Sequence, residues 1–148
     1  MATYDVAAFQ TNTHSLAEVP QELWDLASGN GTILTGILSL AQRFVLELFT
    51  VKGSKPFATN RGSSLLTFVR TGLIRNDIDA YTFFQYAVAE VQANLQSDEL
   101  ATDPADERFD SAEILSVTFT PETLVYSIGL NSRAGTQRVL TVPLTTTA

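Results

Sequence analysis

The side chains able to do acid–base, nucleophilic or ligand chemistry are few, and their surroundings suit that chemistry poorly. The chain has one histidine, His14, and no cysteine. His14 lies in a polar N-terminal stretch that supplies no orienting partner, so it reads as an exposed surface histidine and not as a general base. The lack of cysteine excludes disulfides, thiolate metal sites and cysteine nucleophiles, and fits folding in a reducing cytoplasm. A glycosidase needs two carboxylates, one of them in an apolar pocket. Here Asp98, Glu99, Asp103, Asp106, Glu107 and Asp110 crowd one loop. That loop reads as solvated, and it lacks the glycine and the alternating oxygen ligands of a calcium loop. Glu47 and Glu90 fall in the middle of two expected helices but off their apolar stripes, so neither is expected to be buried. Gly29-Asn30-Gly31 resembles half of a phosphate loop, yet no Gly-Lys-Ser/Thr follows, and a helix-start turn explains it. The expectation is a protein without catalytic machinery, cofactor or metal.

Charge is unevenly spread. Lys52, Lys55, Arg61, Arg70 and Arg75 crowd the middle of the chain, with no acid between Glu47 and Asp77, while acids crowd residues 98–113. The two clusters should give the domain opposite potentials at two places, which suits head-to-tail or multi-protein docking. The net charge of -7 disfavours a phosphate backbone as partner, so no nucleic acid is expected. Residues 33–51 form the longest apolar stretch, but Gln42, Arg43 and Glu47 interrupt it, so no membrane span is expected. Residues 1–10 show neither the basic start nor the apolar core of a secretory leader. With 148 residues, 45% hydrophobic and 17% charged, the chain suits one domain with one core.

These residues must be positioned by a small set of elements. Leu34, Ile37, Leu38, Ala41, Phe44, Val45 and Leu48 recur at spacings of three and four, which predicts a helix over about 32–51 with Gly53 just past its end. Residues 52–62 form a polar loop, and Ser63 or Ser64 caps a short helix over 65–70 that Gly72 ends. Asn76 caps a second long helix over about 77–96, with Asp77 and Asp79 at its positive end. Its expected buried stripe is Ala80, Tyr81, Phe84, Ala87, Val88, Val91 and Leu95. Beyond Pro104 the period changes to two. Leu115, Val117 and Phe119 share one face, as do Leu124, Tyr126, Ile128 and Leu130, and then Leu140, Val142 and Leu144. The last strand is expected to end or lie at an edge near Pro143. The fold class is therefore α+β: two long amphipathic helices and a short helix followed by a small antiparallel three-stranded meander. Residues 1–30 read as an N-terminal arm or extension, with possible strands at 4–9 and 24–26, and 31–144 as the core. Three strands alone are marginal, so residues 4–9 or a partner strand would extend the sheet.

The order of features carries a resemblance. Asp25-Leu26 and Gly29 to Gly31 precede a helix holding Gln42-Arg43. Leu48-Phe49-Thr50-Val51-Lys52-Gly53-Ser54 follows, then Pro56, Gly62-Ser63-Ser64-Leu65-Leu66, and a terminal Val142-Pro143-Leu144 strand. Over roughly residues 25–144 this resembles the lysozyme-like baseplate wedge family of contractile-tail phages, whose members act as sheath initiators. Many members carry Glu-Pro-Arg in the loop; Ser54-Lys55-Pro56-Phe57 keeps the proline. The resemblance implies a structural subunit of the virion tail baseplate, made in the host cytoplasm and without hydrolytic activity. Its implied partners are other baseplate wedge proteins, the tail sheath protein, and tail tube or hub proteins. It also implies a sheet edge that accepts sheath strands, here at Leu140, Val142 and Leu144. The helical side would dock on the wedge through Lys52, Gly53, Lys55, Pro56, Arg61 and Gly62. Two other readings compete: another tail or neck component such as a tail-completion or terminator protein, and a peptidoglycan hydrolase using Glu47 or Glu90.

Overall fold

The computed structural model describes residues 5–6, 9–14, 21–26, 33–34, 36–120 and 122–145. Four strands open the chain: β1 (Asp5–Val6), β2 (Phe9–His14), β3 (Gln21–Leu26) and β4 (Ile33–Leu34). Three helices follow: α1 (Ile37–Phe49), α2 (Leu65–Arg70) and α3 (Asp77–Asp98). A 3-10 turn at Ala105–Glu107 leads into β5 (Phe109–Phe119), β6 (Thr123–Ser132) and β7 (Gln137–Thr145). The class is α+β, with the helices on one face of the sheet. The turn signal at 28–31 lies outside the described residues.

The helix expected over 32–51 starts later. Gly36 takes φ 63, a left-handed backbone that breaks the extended run before it. Ile33–Leu34 pairs with Asp5–Val6, so Leu34 belongs to a strand and not to the apolar stripe. The stripe that is buried comprises Ile37, Leu40, Ala41, Phe44, Val45 and Leu48, while Leu38 is half-buried. The short helix has its expected bounds, and the second long helix runs two residues further than expected. Its N-cap is as expected: the Asn76 side chain accepts from the Asp79 amide at 2.8 Å. Six of the seven stripe positions on α3 are buried. Tyr81, the exception, is half exposed, because it sits at the margin of the face that meets the sheet.

The meander β5–β6–β7 is antiparallel as expected. Two register shifts in β5 change which residues point inward. Asp110 and Leu115 have no partner on β6, whereas Ala112, Ile114, Val117 and Phe119 pair with Leu130, Ile128, Tyr126 and Leu124. Leu115 is therefore a bulge residue, 49% exposed, and Ile114 takes the inward position assigned to it from the alternation. On β6, Leu124, Tyr126, Ile128 and Leu130 are wholly buried. The phenol of Tyr126 donates to the carbonyl of Ala80 at 2.9 Å, satisfying both groups, and burial pushes its ionisation upward. Phe84 lies 4.8 Å from the Tyr126 ring, and Phe44 stacks on Phe109 at 5.9 Å. These contacts tie α1 and α3 to the sheet.

The sheet is larger than the meander. Its order is β2-β3-β7-β6-β5, because the N-terminal hairpin β2–β3 adds beside β7. β3 runs parallel to β7 through Glu22↔Leu140 and Leu23↔Thr141. It is thus the 21–26 segment, not 4–9, that extends the meander. Nor does β7 stop at Pro143: Pro143, Leu144 and Thr145 stay in register with Val125, Leu124 and Thr123.

Candidate interaction surfaces

Residues 50–63 leave α1 and return to α2 as a chain of closed turns. Val51 and Ser63 form a parallel bridge, with the Lys52 amide bonded to the Ser63 carbonyl and the Ser63 amide to the Thr50 carbonyl. Gly62 takes φ 92, and a Cβ there would stand 2.3 Å from the Thr50 carbonyl oxygen, so only glycine fits. The Ala58 amide reaches the Lys55 carbonyl at 3.1 Å, closing a turn with Pro56 in the second position, where a fixed φ is favourable. Phe57 is the third residue of that turn, and at 103% relative exposure it is as open to solvent as in an isolated peptide.

A buried polar node holds this loop. Glu47 Oε1 accepts from the Gly62 amide at 2.7 Å and from Asn94 Nδ2 at 2.8 Å; Oε2 accepts from Arg61 Nη2 at 2.9 Å. Arg61 also reaches Asp98 at 2.7 Å. That hydrogen bond, with the charge of Glu47, holds the guanidinium protonated above its ordinary range. Glu90 accepts from the Ser64 amide at 2.9 Å and from Lys52 Nζ at 2.7 Å. The second of these holds the Lys52 ammonium protonated above its ordinary range.

This overturns the expectation that Glu47 and Glu90 are unburied. Glu47 is 6% exposed, and the Glu90 side chain 10%. Both lie off the apolar stripes, but the flanks they occupy face the loop and α2 instead of water. The acidic segment also differs from a solvated loop. Glu107 is 1% exposed and accepts from the Gly36 amide at 3.1 Å, and Glu99 accepts from the Phe109 amide at 2.7 Å. The missed signal was the nearby glycines and amides left without partners by helix starts and turns, which a carboxylate can satisfy.

The docking residues expected from sequence therefore divide. Lys52 and Arg61 spend their charge on Glu90, Glu47 and Asp98, and Gly62 is buried, so these three hold the loop's shape. Gly53, Lys55 and Pro56 are exposed around Phe57, which the sequence reading did not single out. Leu140 and Val142 are buried and Leu144 packs against the core. Their side chains cover the helices and are not free for a partner. The outer flank of β7 at Leu140 and Thr141 is taken by the chain's own β3, which contradicts the expected acceptor edge there. The sheet instead ends at β2 on one side and at β5 on the other. β5, with eleven residues, is the longest strand, and its main chain on the side away from β6 has no strand partner among the described residues.

Two other surfaces stand out. Phe68, Phe83 and Tyr86 form an aromatic cluster between α2 and α3, with ring centres 4.6 and 5.7 Å from Phe68. At the amino end of α1 a cleft of about 400 Å³ is lined by Gly36, Ile37, Leu38, Pro104, Asp106, Glu107 and Arg138. Among the described residues no group of three His, Asp or Glu side chains is placed to hold a metal ion. None of the described helices is long and apolar enough to cross a membrane. No protein-family model matches the chain, and comparison with curated proteins gives no match.

Proposed function

We propose that the chain is a structural subunit of a contractile-tail baseplate wedge, docking on other wedge proteins around the tail tube and offering a sheet edge on which sheath assembly starts. The reading comes from the order of turn, helix and strand motifs. The observation that supports it best is β5, a long edge strand whose outer main chain has no strand partner among the described residues. An added strand gains affinity from main-chain hydrogen bonds, so such an edge accepts a partner with little demand on side-chain identity. The bulges at Asp110 and Leu115 interrupt the edge, as bulges do on native edges that must avoid indiscriminate pairing. The acceptor edge in this proposal is β5, not β7. Wedge docking falls to the exposed turn at Lys55, Pro56 and Phe57.

No catalytic role is proposed. Both oxygens of Glu47 are engaged by donors from the chain itself, and Glu90 is bound by Ser64 and Lys52. Cryo-EM of the assembled tail tests the main reading. The expected map places the chain in the baseplate with a sheath strand against β5. A particle in which neither wedge nor sheath proteins touch the chain sinks the proposal. Clearing of a cell-wall suspension by the purified protein would replace it with the hydrolase reading.

A further inference from the structure

We infer that the segment accepted by β5 is an amphipathic strand, apolar on the side that slides under the flank of α3 and basic on the opposite side. This rests on the reading of β5 as the acceptor edge and adds the side-chain chemistry of its occupant.

The main chain is open along the second half of β5. The Thr120 amide donates to the Thr123 carbonyl at 2.8 Å, so these two residues form a hydrogen-bonded pair. Antiparallel pairing alternates, so Thr118 and Ser116 also direct their main-chain groups to β6, while those of Val117 and Phe119 turn outward. An extended backbone matches such a row of amides and carbonyls; a helix, whose own groups are bonded internally, does not.

One flank of α3 walls this edge. α3 lies over β5 and runs antiparallel to it: Ala80, near its start, binds Tyr126, the partner of Val117, and Glu99, past its end, takes the Phe109 amide. Its core side carries Ala80, Phe84 and Val91, and the flank toward α1 and α2 carries Phe83, Glu90 and Asn94. At about 100° per residue, the opposite flank carries Ile78, Tyr81, Gln85, Gln92 and Gln96. α1 sits over β6 and β7, so this flank overhangs the free side of β5. None of the five side chains is charged. The two apolar ones stand at the end of α3 nearest Val117, with Ile78 77% and Tyr81 46% exposed. Val117 and Phe119 below them are themselves only partly buried. A strand paired with β5 brings every second side chain under this flank. An apolar group there covers Ile78, Tyr81 and Phe119, whereas a charge would lose water and gain no partner.

The other side of the edge is acidic. Ala112 and Ile114 pack on the core, so Glu113 between them points to the outer face of the sheet. It meets the Gln137 side-chain amide at 3.2 Å and no cation among the described residues. Asp110, at the first bulge, is exposed and likewise has no cation. A strand of eight residues spans about 26 Å, enough to reach from Phe119 back to Glu113. Opposite charges on neighbouring strands attract, so the outward positions suit Lys or Arg. A second copy of this chain fits poorly: its β5 would bring the same acids, and each chain carries a net charge of -7.

Fluorescence anisotropy tests this with a labelled octapeptide of alternating valine and lysine, titrated with the purified full chain. Its two companions alternate valine with glutamate and glycine with lysine. The valine–lysine peptide should bind at least about tenfold more tightly than the glycine–lysine one, the scale of burying a single valine side chain. It should exceed the valine–glutamate peptide by at least about fivefold, the scale of one opposed pair of charges. Val117→Pro removes an outward amide without touching the bonds to β6 and should weaken binding about fivefold, one main-chain hydrogen bond. Tyr81→Ser and Ile78→Gln should each weaken it too, and Ile78 is so exposed that its variant leaves folding intact. Glu113→Lys should narrow the preference for lysine over glutamate. The inference is overturned if no peptide binds, or if the glycine–lysine peptide binds as tightly as the valine–lysine one, since net charge alone would then explain binding. It is equally overturned if the wall variants bind like wild type or if Glu113→Lys leaves the preference unchanged. A sheath strand found on β5 with acidic outward side chains would sink this inference and keep the baseplate reading; selective peptide binding by a chain absent from the baseplate would do the reverse.

Discussion

At the carboxyl end of α1, Glu47 takes the amide of Gly62, the amide nitrogen of Asn94 and the guanidinium of Arg61; at the amino end, Glu107 takes the amide of Gly36. Each end is fastened by a buried carboxylate to a glycine with positive φ. An arginine takes part at both, though differently. Arg61 binds the Glu47 carboxylate, whereas Arg43 donates to the main-chain carbonyl of Glu107 at 2.8 Å. The ends are then finished in opposite ways. The Glu47 node supports a turn that pushes Phe57 into solvent, and the Glu107 node floors a cleft. At the Glu47 end buried charge fixes backbone shape beside a surface, since both carboxylate oxygens are bound by donors of the chain itself.

The strongest test of the comparison is removal of the carboxylate at the loop end. Glu47→Ala leaves the Gly62 amide without its acceptor, Asn94 Nδ2 with only the Gly62 carbonyl, and Arg61 with Asp98 and the Asn94 carbonyl. The expected loss is roughly 3–5 kcal/mol, the cost of breaking a buried charged pair, read from urea denaturation. A loss under about 1 kcal/mol, the range of an exposed pair, would mean that the node is not what holds the loop.

The two glycines separate the ends next. Both have positive φ, a sparsely populated region that costs a non-glycine residue about 1–3 kcal/mol. At Gly62 the added Cβ meets a main-chain oxygen at 2.3 Å, and main chain must move; at Gly36 it meets only the end of the Asp106 side chain at 2.8 Å, which can turn away. Gly62→Ala should therefore destabilise clearly more than Gly36→Ala in the same denaturation series. Equal losses would show that backbone conformation, and not the close approach, sets both costs.

Tyr126 provides a reference away from both ends. Tyr126→Phe removes the bond to Ala80 and should cost about 1 kcal/mol. Burial raises the phenol's ionisation in the folded chain, so the folded state keeps a proton that the unfolded state releases above pH ~10. The stability from this group is complete below that pH and falls as pH rises through the folded value. Lys52, raised by its bond to Glu90, acts in the same direction and the same range. Alkaline unfolding should thus be less steep in Tyr126→Phe than in wild type, with the difference confined to the range above pH ~10; parallel curves would assign it to Lys52 and the other amines.

Much of this architecture was legible in the sequence. The spacing of Phe44, Val45 and Leu48, the Asn76 cap and the alternation through Tyr126 and Ile128 are local patterns, and they located α1, α3 and β6. What was not legible depends on contacts distant in sequence. Glu47 looks solvated until a loop fifteen residues on folds back to present Gly62. Leu115 looks inward until two bulges shift β5 by a residue. The pairing of β3 with β7 joins residues more than a hundred positions apart, and no local period announces it. The loop's basic residues were conspicuous by charge, but charge alone could not say that Lys52 and Arg61 are spent inside the molecule. Nor could it say that the residue left pointing outward is Phe57.

The smallest expected effect on stability belongs to that residue, and it sharpens the comparison furthest. Phe57 is fully exposed at the tip of a turn whose hydrogen bonds are main-chain bonds or run through Glu47 and Arg61. Phe57→Ser removes no buried area and breaks none of those bonds. Its stability should stay within about 0.5 kcal/mol of wild type, as for surface substitutions away from special features. Glu47→Ala should do the reverse, lowering stability by releasing the turn while Phe57 itself is unchanged. A large loss for Phe57→Ser would place the ring against the chain's own surface. It would then belong to the fold, and the carboxyl end of α1 would be as closed as the sheet core.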